Sequence, residues 1–125
     1  MQELIKEFMA QKKFAVIGAT DNPEKYGNRI VKDLKIRGYE VFPVNPRLKE
    51  VEGLICYPTI SDIPGKVDVV DFVTPPNATE AILKDCLQLG LDRIWLQPGA
   101  ESEAAIAYCR ENGMKIVHDA CVMLN

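Results

Sequence analysis

The hydrophobic pattern of this chain alternates between helical spacing and short apolar runs. Three segments have apolar residues at helical spacing, end at a glycine, and lead directly into a strand-like run; they span residues 28–45, 77–97 and 101–119. The glycines are Gly38, Gly90 and Gly113, and glycine just past a helix favours the left-handed backbone that closes it. The pattern therefore predicts three helices, each followed by a strand.

The second of these helices has two local features. Asn77 and Glu80 have the spacing of a capping box, with Asn in place of Ser or Thr. The apolar side of the helix is predicted to contain Ala78, Ile82, Cys86 and Leu89.

Two further apolar runs, residues 14–19 and 67–74, complete a predicted set of five strands. The runs are almost continuously apolar, as is typical of parallel strands covered on both faces. Strands that alternate with helices predict right-handed crossovers and a parallel sheet between helical layers. We therefore expect a Rossmann-like three-layer α/β/α sandwich, with strand order 3-2-1-4-5, as a single domain over residues 1–125.

Two regions lie outside this alternation. Near the N-terminus, Leu4, Ile5, Phe8 and Met9 recur at helical spacing, which predicts an additional amphipathic helix packed on the domain. The longest connection, residues 46–66, is predicted to contain only a short helical turn around residues 61–63.

Composition narrows the class of protein. The net charge of −3 argues against nucleic acid as the main partner. No apolar stretch approaches the roughly 18 residues needed to cross a membrane, and the N-terminus does not have the pattern of a signal peptide. Four cysteines without a C-x-x-C pair favour reduced thiols and a cytoplasmic location. One histidine and scattered cysteines do not predict a metal site.

Sheets of this type bind ligands beyond the carboxyl ends of their strands. The segments at those ends are GATDNP, VNPR, VTPPN, LQPGA and HDAC. Most contain proline or glycine, which gives stiff loops with accessible backbone groups. We therefore look for a ligand in the crevice that these segments form.

The first segment lacks the G-x-G-x-x-G spacing of a dinucleotide loop, because the glycine after Gly18 is Gly27. Thr20 and Asn22 offer neutral donors, and the helix start over Gly27, Asn28 and Arg29 offers backbone N–H groups and a cation for a phosphate.

The segment after the second strand also argues against NAD. It carries Asn45, Arg47 and Lys49 but no carboxylate before Glu50, whereas NAD sites commonly place Asp or Glu there for the ribose hydroxyls. Two nucleotides with an extra ribose phosphate remain as alternatives, namely NADP and coenzyme A (CoA).

Motifs along nearly the whole chain then resemble one family. VIGATDNP, RGYEVFPVNP, CYPTISDIPGKVDVVDFVTPP, IWLQPGA and KIVHDAC are similar to the CoA-binding domain family, especially its small stand-alone bacterial and archaeal members. A more distant similarity is to the N-terminal domain of the succinyl-CoA synthetase alpha subunit. The chain lacks the glycine-rich continuation of the synthetase loop, the phosphorylatable-histidine domain and the ATP-grasp region, so synthetase activity does not carry over.

The resemblance implies where CoA would lie. It places Gly18, Ala19, Thr20 and Asn22 against the pyrophosphate. Asn45, Pro46 and Arg47 would lie beside the adenosine and its 3′-phosphate. The remaining contacts would come from Thr74, Pro75, Pro76, Gln97, Pro98 and Gly99.

Candidate catalytic groups are few. Asp71 sits in an apolar run, where we expect it to bond backbone rather than catalyse, and Trp95 is expected in the core. His118, Asp119 and Cys121 combine the residue types of a triad, but three residues so close in sequence rarely share one centre. Cys121 is instead a candidate contact for the CoA thiol, and thiolate exchange of Cys121 with oxidised CoA would give a mixed disulfide.

The sequence therefore predicts a cytoplasmic, non-catalytic protein that binds CoA or an acyl-CoA as a carrier, sensor or regulatory module, with a homodimer as candidate assembly. Two alternatives stay open. One is an NADP-binding protein, and the other is the CoA-binding subunit of an acyl-CoA ligase that a separate chain completes.

Overall fold

The structure is a computed structural model that describes residues 1–125. In chain order its elements are α1 (Gln2–Met9), β1 (Lys13–Ile17), α2 (Tyr26–Ile36), β2 (Glu40–Val44), β3 (Glu50–Val51), β4 (Leu54–Ile55), β5 (Val69–Phe72), α3 (Pro76–Gln88), β6 (Arg93–Leu96), α4 (Glu103–Glu111) and β7 (Lys115–Val117). Two 3₁₀ turns, Ile60–Asp62 and Val122–Leu124, complete the set. None of the helices is both long and apolar enough to cross a membrane.

Five parallel strands form the sheet in the order β2-β1-β5-β6-β7. The prediction of a five-stranded parallel sheet is confirmed, but the predicted order is wrong. The third long strand, β5, pairs with β1 rather than with β2. β2 is thereby an edge strand, which suits Pro43, a residue that has no N–H to donate to a second neighbour.

Alternate residues of each strand face two separate cores, as the three-layer prediction requires. Phe14 and Val16 of β1 pack on the side of α1 and α2. Ala15 and Ile17 pack on the side of α3 and α4. Trp95 lies fully buried in the first core, as predicted, and its Nε1 donates to the carbonyl of Ala120 at 2.8 Å.

The amphipathic N-terminal helix is confirmed. Ile5 and Phe8 of α1 are buried against the sheet. On its exposed side Glu7 accepts hydrogen bonds from Lys115 and Arg93, at 2.9 Å from each, and these bonds lower the pKa of Glu7. α1 is thereby tied to β6 and β7, on the face that α2 leaves open.

The helix ends are confirmed more fully than the helix starts. Gly38, Gly90 and Gly113 all have positive φ, at 94°, 72° and 69°. The Asn77–Glu80 capping box is wrong, because α3 begins at Pro76 and the side chain of Glu80 accepts a hydrogen bond from Ser102 instead. The buried residues of α3 are Thr79, Leu83 and Cys86, whereas the predicted Leu89 is 42% exposed.

The long connection from β2 to β5 contains the predicted short helical turn, which lies at Ile60–Asp62. The prediction that the connection contains nothing else is wrong, because the hairpin β3–β4 precedes the turn. Thr59 and Asp62 form a capping box at this turn, with Thr59 Oγ1 donating to the Asp62 carboxylate at 2.8 Å. The connection carries the chain past β1, so the order of the strands reverses between β1 and β5. Ligands in such sheets bind at this reversal point.

Candidate functional site

The loop after β1 crosses the start of α2 at very close range. A Cβ added to Gly27 would lie 2.2 Å from the Gly18 carbonyl oxygen. Gly18 itself has φ +92°, and a Cβ there would lie 2.5 Å from the Val73 carbonyl oxygen. Both positions therefore require glycine, and this crossing brings the ends of β1 and β5 and the start of α2 together.

Side chains within the first loop mostly hold the loop itself. Thr20 Oγ1 accepts from the Asn22 N–H at 3.2 Å, and Asn22 Oδ1 accepts from the Glu24 N–H at 3.0 Å. Ala19 is buried, and its carbonyl accepts from Asn45 Nδ2 at 2.8 Å. A ligand at this loop would therefore contact Ala19 through its backbone.

Asn28 is a second structural anchor of the loop. It is 1% exposed, and its Nδ2 donates to the Thr20 carbonyl and to the Glu52 carboxylate, both at 3.0 Å. The amide thereby ties the loop to the β3–β4 hairpin. Arg29, by contrast, is exposed; its Nε lies 3.4 Å from the Pro23 carbonyl oxygen, and its guanidinium lies over the Tyr26 ring.

The start of α2 has the features of an anion site. Lys25 occupies the N-cap without a side-chain hydrogen bond, and the N–H groups of Tyr26 and Gly27 have no acceptor in the chain. Unpaired N–H groups at the positive end of a helix attract phosphate oxygens.

Two cavities lie on either side of the Val73–Thr74 loop. We call the first the α3 cavity; it has a volume of about 300 Å³. It brings together four predicted residues, Gly18, Asn45, Pro46 and Thr74, with Val44 of the predicted VNPR segment. Seven further lining residues were not predicted from the sequence; they are Ile17, Pro58, Thr59, Ile60, Ala78, Ile82 and Asp85.

The second, the α2 cavity, has a volume of about 250 Å³. It contains three predicted residues, Gln97, Pro98 and Cys121. Val73 belongs to the predicted VTPPN segment, whereas Tyr26, Ile30, Met123 and Leu124 were not predicted from the sequence. Because Val73 lines this cavity and Thr74 lines the α3 cavity, adjacent residues of one loop separate the two.

Gln97 has an unusual partner. Its Nε2 donates to Asp71 Oδ1, and its Oε1 accepts from the Val122 N–H at 3.2 Å. The expectation that Asp71 bonds backbone is wrong; Asp68 does so instead, accepting from the Lys13 N–H at 2.9 Å. Asp71 is fully buried with no partner for Oδ2, and burial raises its pKa to about 7 although the Gln97 hydrogen bond acts in the opposite direction.

The four cysteines are free and differ in accessibility. Cys56, Cys86 and Cys109 are buried, whereas Cys121 is partly exposed and lines the α2 cavity. Burial raises the pKa of Cys56, that of Cys86 to about 12 and that of Cys109 to about 11. Since the thiolate is the reactive form, the three buried thiols are poor nucleophiles.

Other predicted residues lie at the rim or outside the cavities. Arg47 is exposed and forms no salt bridge; its N–H donates to Asn45 Oδ1 at 2.8 Å, directly after Pro46 of the α3 cavity. Pro75 is the N-cap of α3 and Pro76 its first residue. The Gly99 N–H donates to the Glu101 carboxylate at 2.9 Å. His118 Nδ1 lies 2.6 Å from Asp119 Oδ2, and no hydrogen bond joins His118 to Cys121.

Known proteins resemble this chain over almost its whole length. The uncharacterized protein YneT of Bacillus subtilis is 28% identical, covering 94% of this chain and 88% of that protein. A conserved hypothetical protein of Pyrococcus furiosus has a solved structure with TM-score 0.87 and 42% identity, covering 90% of this chain and 97% of that one.

A larger protein is also similar. The alpha subunit of the ADP-forming acetate–CoA ligase II of Pyrococcus furiosus is 29% identical over 95% of this chain, and the match spans 28% of that subunit. Residues 12–125 match the family of CoA binding domains. The chain therefore belongs to the CoA-binding domain family.

Proposed function

We propose that this chain binds CoA without catalysing a reaction on it. The observation that carries the proposal is the pair of cavities on the two sides of the Val73–Thr74 loop, at the reversal point of the sheet. The adenosine occupies the α3 cavity and the thiol end of CoA points toward the α2 cavity. The pyrophosphate lies near the unpaired N–H groups of Tyr26 and Gly27.

The charges at the rim support a ligand with a ribose phosphate. Arg47 and Lys49 follow the α3 cavity residue Pro46, are exposed, and have no carboxylate within salt-bridge distance. In this proposal Arg47 pairs with the 3′-phosphate.

Thermal shift with CoA, dephospho-CoA, NADP and NAD in parallel tests this assignment. A ligand that binds only the native state stabilises it by RT ln(1 + [L]/Kd). We expect the largest shift with CoA and a smaller one with dephospho-CoA. Arg47→Ala should weaken the binding of CoA by about fivefold, as for the loss of an exposed ion pair, and leave the affinity for dephospho-CoA unchanged. Arg110→Ala is the control, because it removes the same charge from the outer side of α4. It should change neither the affinity for CoA nor the affinity for dephospho-CoA.

Two results would contradict the proposal. A larger shift with NADP than with CoA would favour the dinucleotide alternative. If none of the four nucleotides raised the melting temperature, the proposal of a nucleotide site would be rejected.

Cys121 is proposed to contact the CoA thiol. With oxidised CoA, the Cys121 thiolate attacks the disulfide, forms a Cys121–S–S–CoA bond and releases one CoA thiolate, so no further oxidant is needed. We expect one reductant-sensitive CoA adduct per chain by mass spectrometry, and none in Cys121→Ser. An unmodified wild-type chain would refute the contact.

The similarity to a ligase subunit favours one second candidate, that the chain supplies the CoA site of an acyl-CoA ligase. The test mixes the chain with a separately encoded ATP-grasp subunit from the same genome, ATP, acetate and CoA. Formation of acetyl-CoA only when both chains are present would support this candidate, and no acetyl-CoA in the mixture would reject it.

We also propose a homodimer in the cytoplasm, with neither nucleic acid nor a membrane as partner. The net charge of −3 and the four free thiols support this setting. Light scattering should give twice the 14.0 kDa mass of one chain, and a mass of one chain would reject the dimer.

A further inference from the structure

The α2 cavity differs from the α3 cavity in the chemistry of its wall. Six of its eight lining residues are hydrophobic, and none is charged. Gln97 provides the only side-chain amide, and Cys121 contributes the partly exposed thiol. A mostly apolar wall with a single side-chain amide suits a ligand group that is itself apolar and carries one hydrogen-bonding atom.

The mouth of the cavity leaves large apolar side chains in water. Tyr26 is 62% exposed and Leu124 is 84% exposed, although both line the cavity. An occupant that covers them removes apolar surface from water, which favours binding by roughly fourfold for each buried methylene. A bare thiol has no hydrocarbon beyond the sulfur with which to cover this surface.

The Gln97 amide is held in one orientation. Its Oε1 accepts from the Val122 N–H and its Nε2 donates to the buried Asp71 carboxyl, so both ends of the amide are fixed. The amide nitrogen carries two hydrogens. The second hydrogen has no acceptor in the chain and is available to a carbonyl oxygen in the cavity.

Size and charge restrict the acyl group. An apolar cavity of about 150 Å³ accommodates benzene, so a volume of about 250 Å³ accommodates a short acyl chain. A carboxylate on that chain would lose its hydration without a cation in the wall to pair with it.

We propose that the α2 cavity binds a short, uncharged acyl group attached to CoA, with the thioester carbonyl oxygen accepting a hydrogen bond from Gln97 Nε2. An acyl-CoA then binds more tightly than free CoA at the same site. This inference rests on the proposed binding of CoA.

Calorimetric titration of the full chain with CoA, acetyl-CoA, butyryl-CoA and succinyl-CoA tests the inference. We expect affinity to rise by about fourfold per methylene from acetyl- to butyryl-CoA, with succinyl-CoA at least tenfold weaker than butyryl-CoA. Equal affinity for CoA and all three acyl-CoAs would overturn this inference and leave CoA binding intact. No binding of any of the four would overturn the proposed function as well.

Two further comparisons locate the effect. Leu124→Ser should reduce the preference for butyryl-CoA over CoA about threefold, measured as the ratio of the two affinities in the variant against the same ratio in the wild type. Ile36→Ser removes a comparably exposed apolar side chain that lines neither cavity, and it should change neither this preference nor the affinity for CoA. An unaltered preference in Leu124→Ser would overturn the placement of the acyl group. S-butyl-CoA has the chain but no carbonyl, and should bind several-fold less tightly than butyryl-CoA. Equal binding would overturn the Gln97 contact.

Discussion

At the scale of single residues, the contact between Gly18 and Gly27 controls how close the first loop lies to α2. Gly27 is inside a helix, where Ala normally stabilises by roughly 0.5–1 kcal/mol. Here the added Cβ would meet the Gly18 carbonyl oxygen at 2.2 Å, which is backbone and cannot move aside like a flexible side chain. We therefore expect Gly27→Ala to lower the free energy of unfolding by about 2 kcal/mol or more.

Gly38→Ala is the matched control for this substitution. Gly38 has φ +94° but no atom within 4 Å of an added Cβ, so the cost is conformational only, about 1–2 kcal/mol. Urea denaturation measures both variants. A Gly27→Ala variant that is as stable as the wild type or more so would show that the two segments are not in this contact. Gly27→Ala should also weaken the binding of CoA, whereas Gly38→Ala should leave it unchanged.

Asp71 gives the protein a predicted pH dependence. Its pKa is raised to about 7 in the folded state, whereas an unfolded carboxyl titrates near 3.9. Between about pH 4 and pH 7 the folded state holds a proton that the unfolded state has released. The contribution of Asp71 to the free energy of unfolding therefore falls as the pH rises through this range and is constant above it. The displacement of the pKa corresponds to about 4 kcal/mol in total.

Asp71→Asn removes the titrating group but keeps an oxygen that accepts the Gln97 hydrogen bond. Urea unfolding of both proteins at pH 5 and pH 8 should show a greater loss of stability in the wild type than in the variant. Parallel losses in the two proteins would mean that Asp71 is not protonated in the folded state at pH 5.

At the scale of elements, the strands and most helix ends follow from local pattern, but the order of the strands does not. Continuous apolar runs predict strands that are buried on both faces. If the five strands of the sheet are numbered along the chain, the predicted order is 3-2-1-4-5 and the observed order is 2-1-3-4-5. Both orders bury the strands equally well. One local signal does separate them. Pro43 in β2 disfavours a central position for that strand, and in the structure the Pro43 carbonyl accepts from the Tyr57 N–H at the outer edge.

The candidate site divides in the same way. Gly18, Asn45, Thr74, Gln97 and Cys121 follow strand ends, and the structure places all five at one of the two cavities. Ile82, Thr59 and Tyr26 were missed because they come from the sides or starts of other elements. Their positions depend on how helices and the long connection pack, which no local pattern encodes. The partner of Asp71 was mispredicted for the same reason, since Gln97 directly follows the neighbouring strand β6.

Helix starts provide a prediction at this scale. Ser102 caps α4, accepting from the Ala105 N–H at 3.0 Å and donating to the Glu80 carboxylate of α3 at 2.8 Å. Ser102→Ala should lower the free energy of unfolding by about 1–2 kcal/mol, because one cap and one link between the helices are lost. Asn77→Ala should change it by less than about 0.5 kcal/mol, because Asn77 is exposed and caps nothing. Thermal unfolding of the two variants compares them directly, and the reverse ranking would restore the capping box predicted from the sequence.

At the scale of the whole molecule, each face of the sheet carries one of the two cavities that we propose as halves of a single ligand site. The α3 side supplies a cavity with Asn45, Thr59 and Asp85 among its polar residues, and the α2 side supplies the apolar cavity with Gln97. Both cavities include residues that directly follow strands, such as Gly18 after β1 and Val73 after β5, between which the strand order reverses. An extended ligand with a nucleotide at one end and a thioester at the other matches this arrangement.

The most direct test is a calorimetric titration of CoA into the wild-type chain and two variants of α3. Ala78 lines the α3 cavity, whereas Ala81 is exposed on the same helix and does not line it. We expect one CoA per wild-type chain, at least tenfold weaker binding in Ala78→Trp because the indole would fill the proposed adenosine site, and unchanged binding in Ala81→Trp. Absence of CoA binding by the wild type, or full affinity in a folded Ala78→Trp variant, would contradict the proposal.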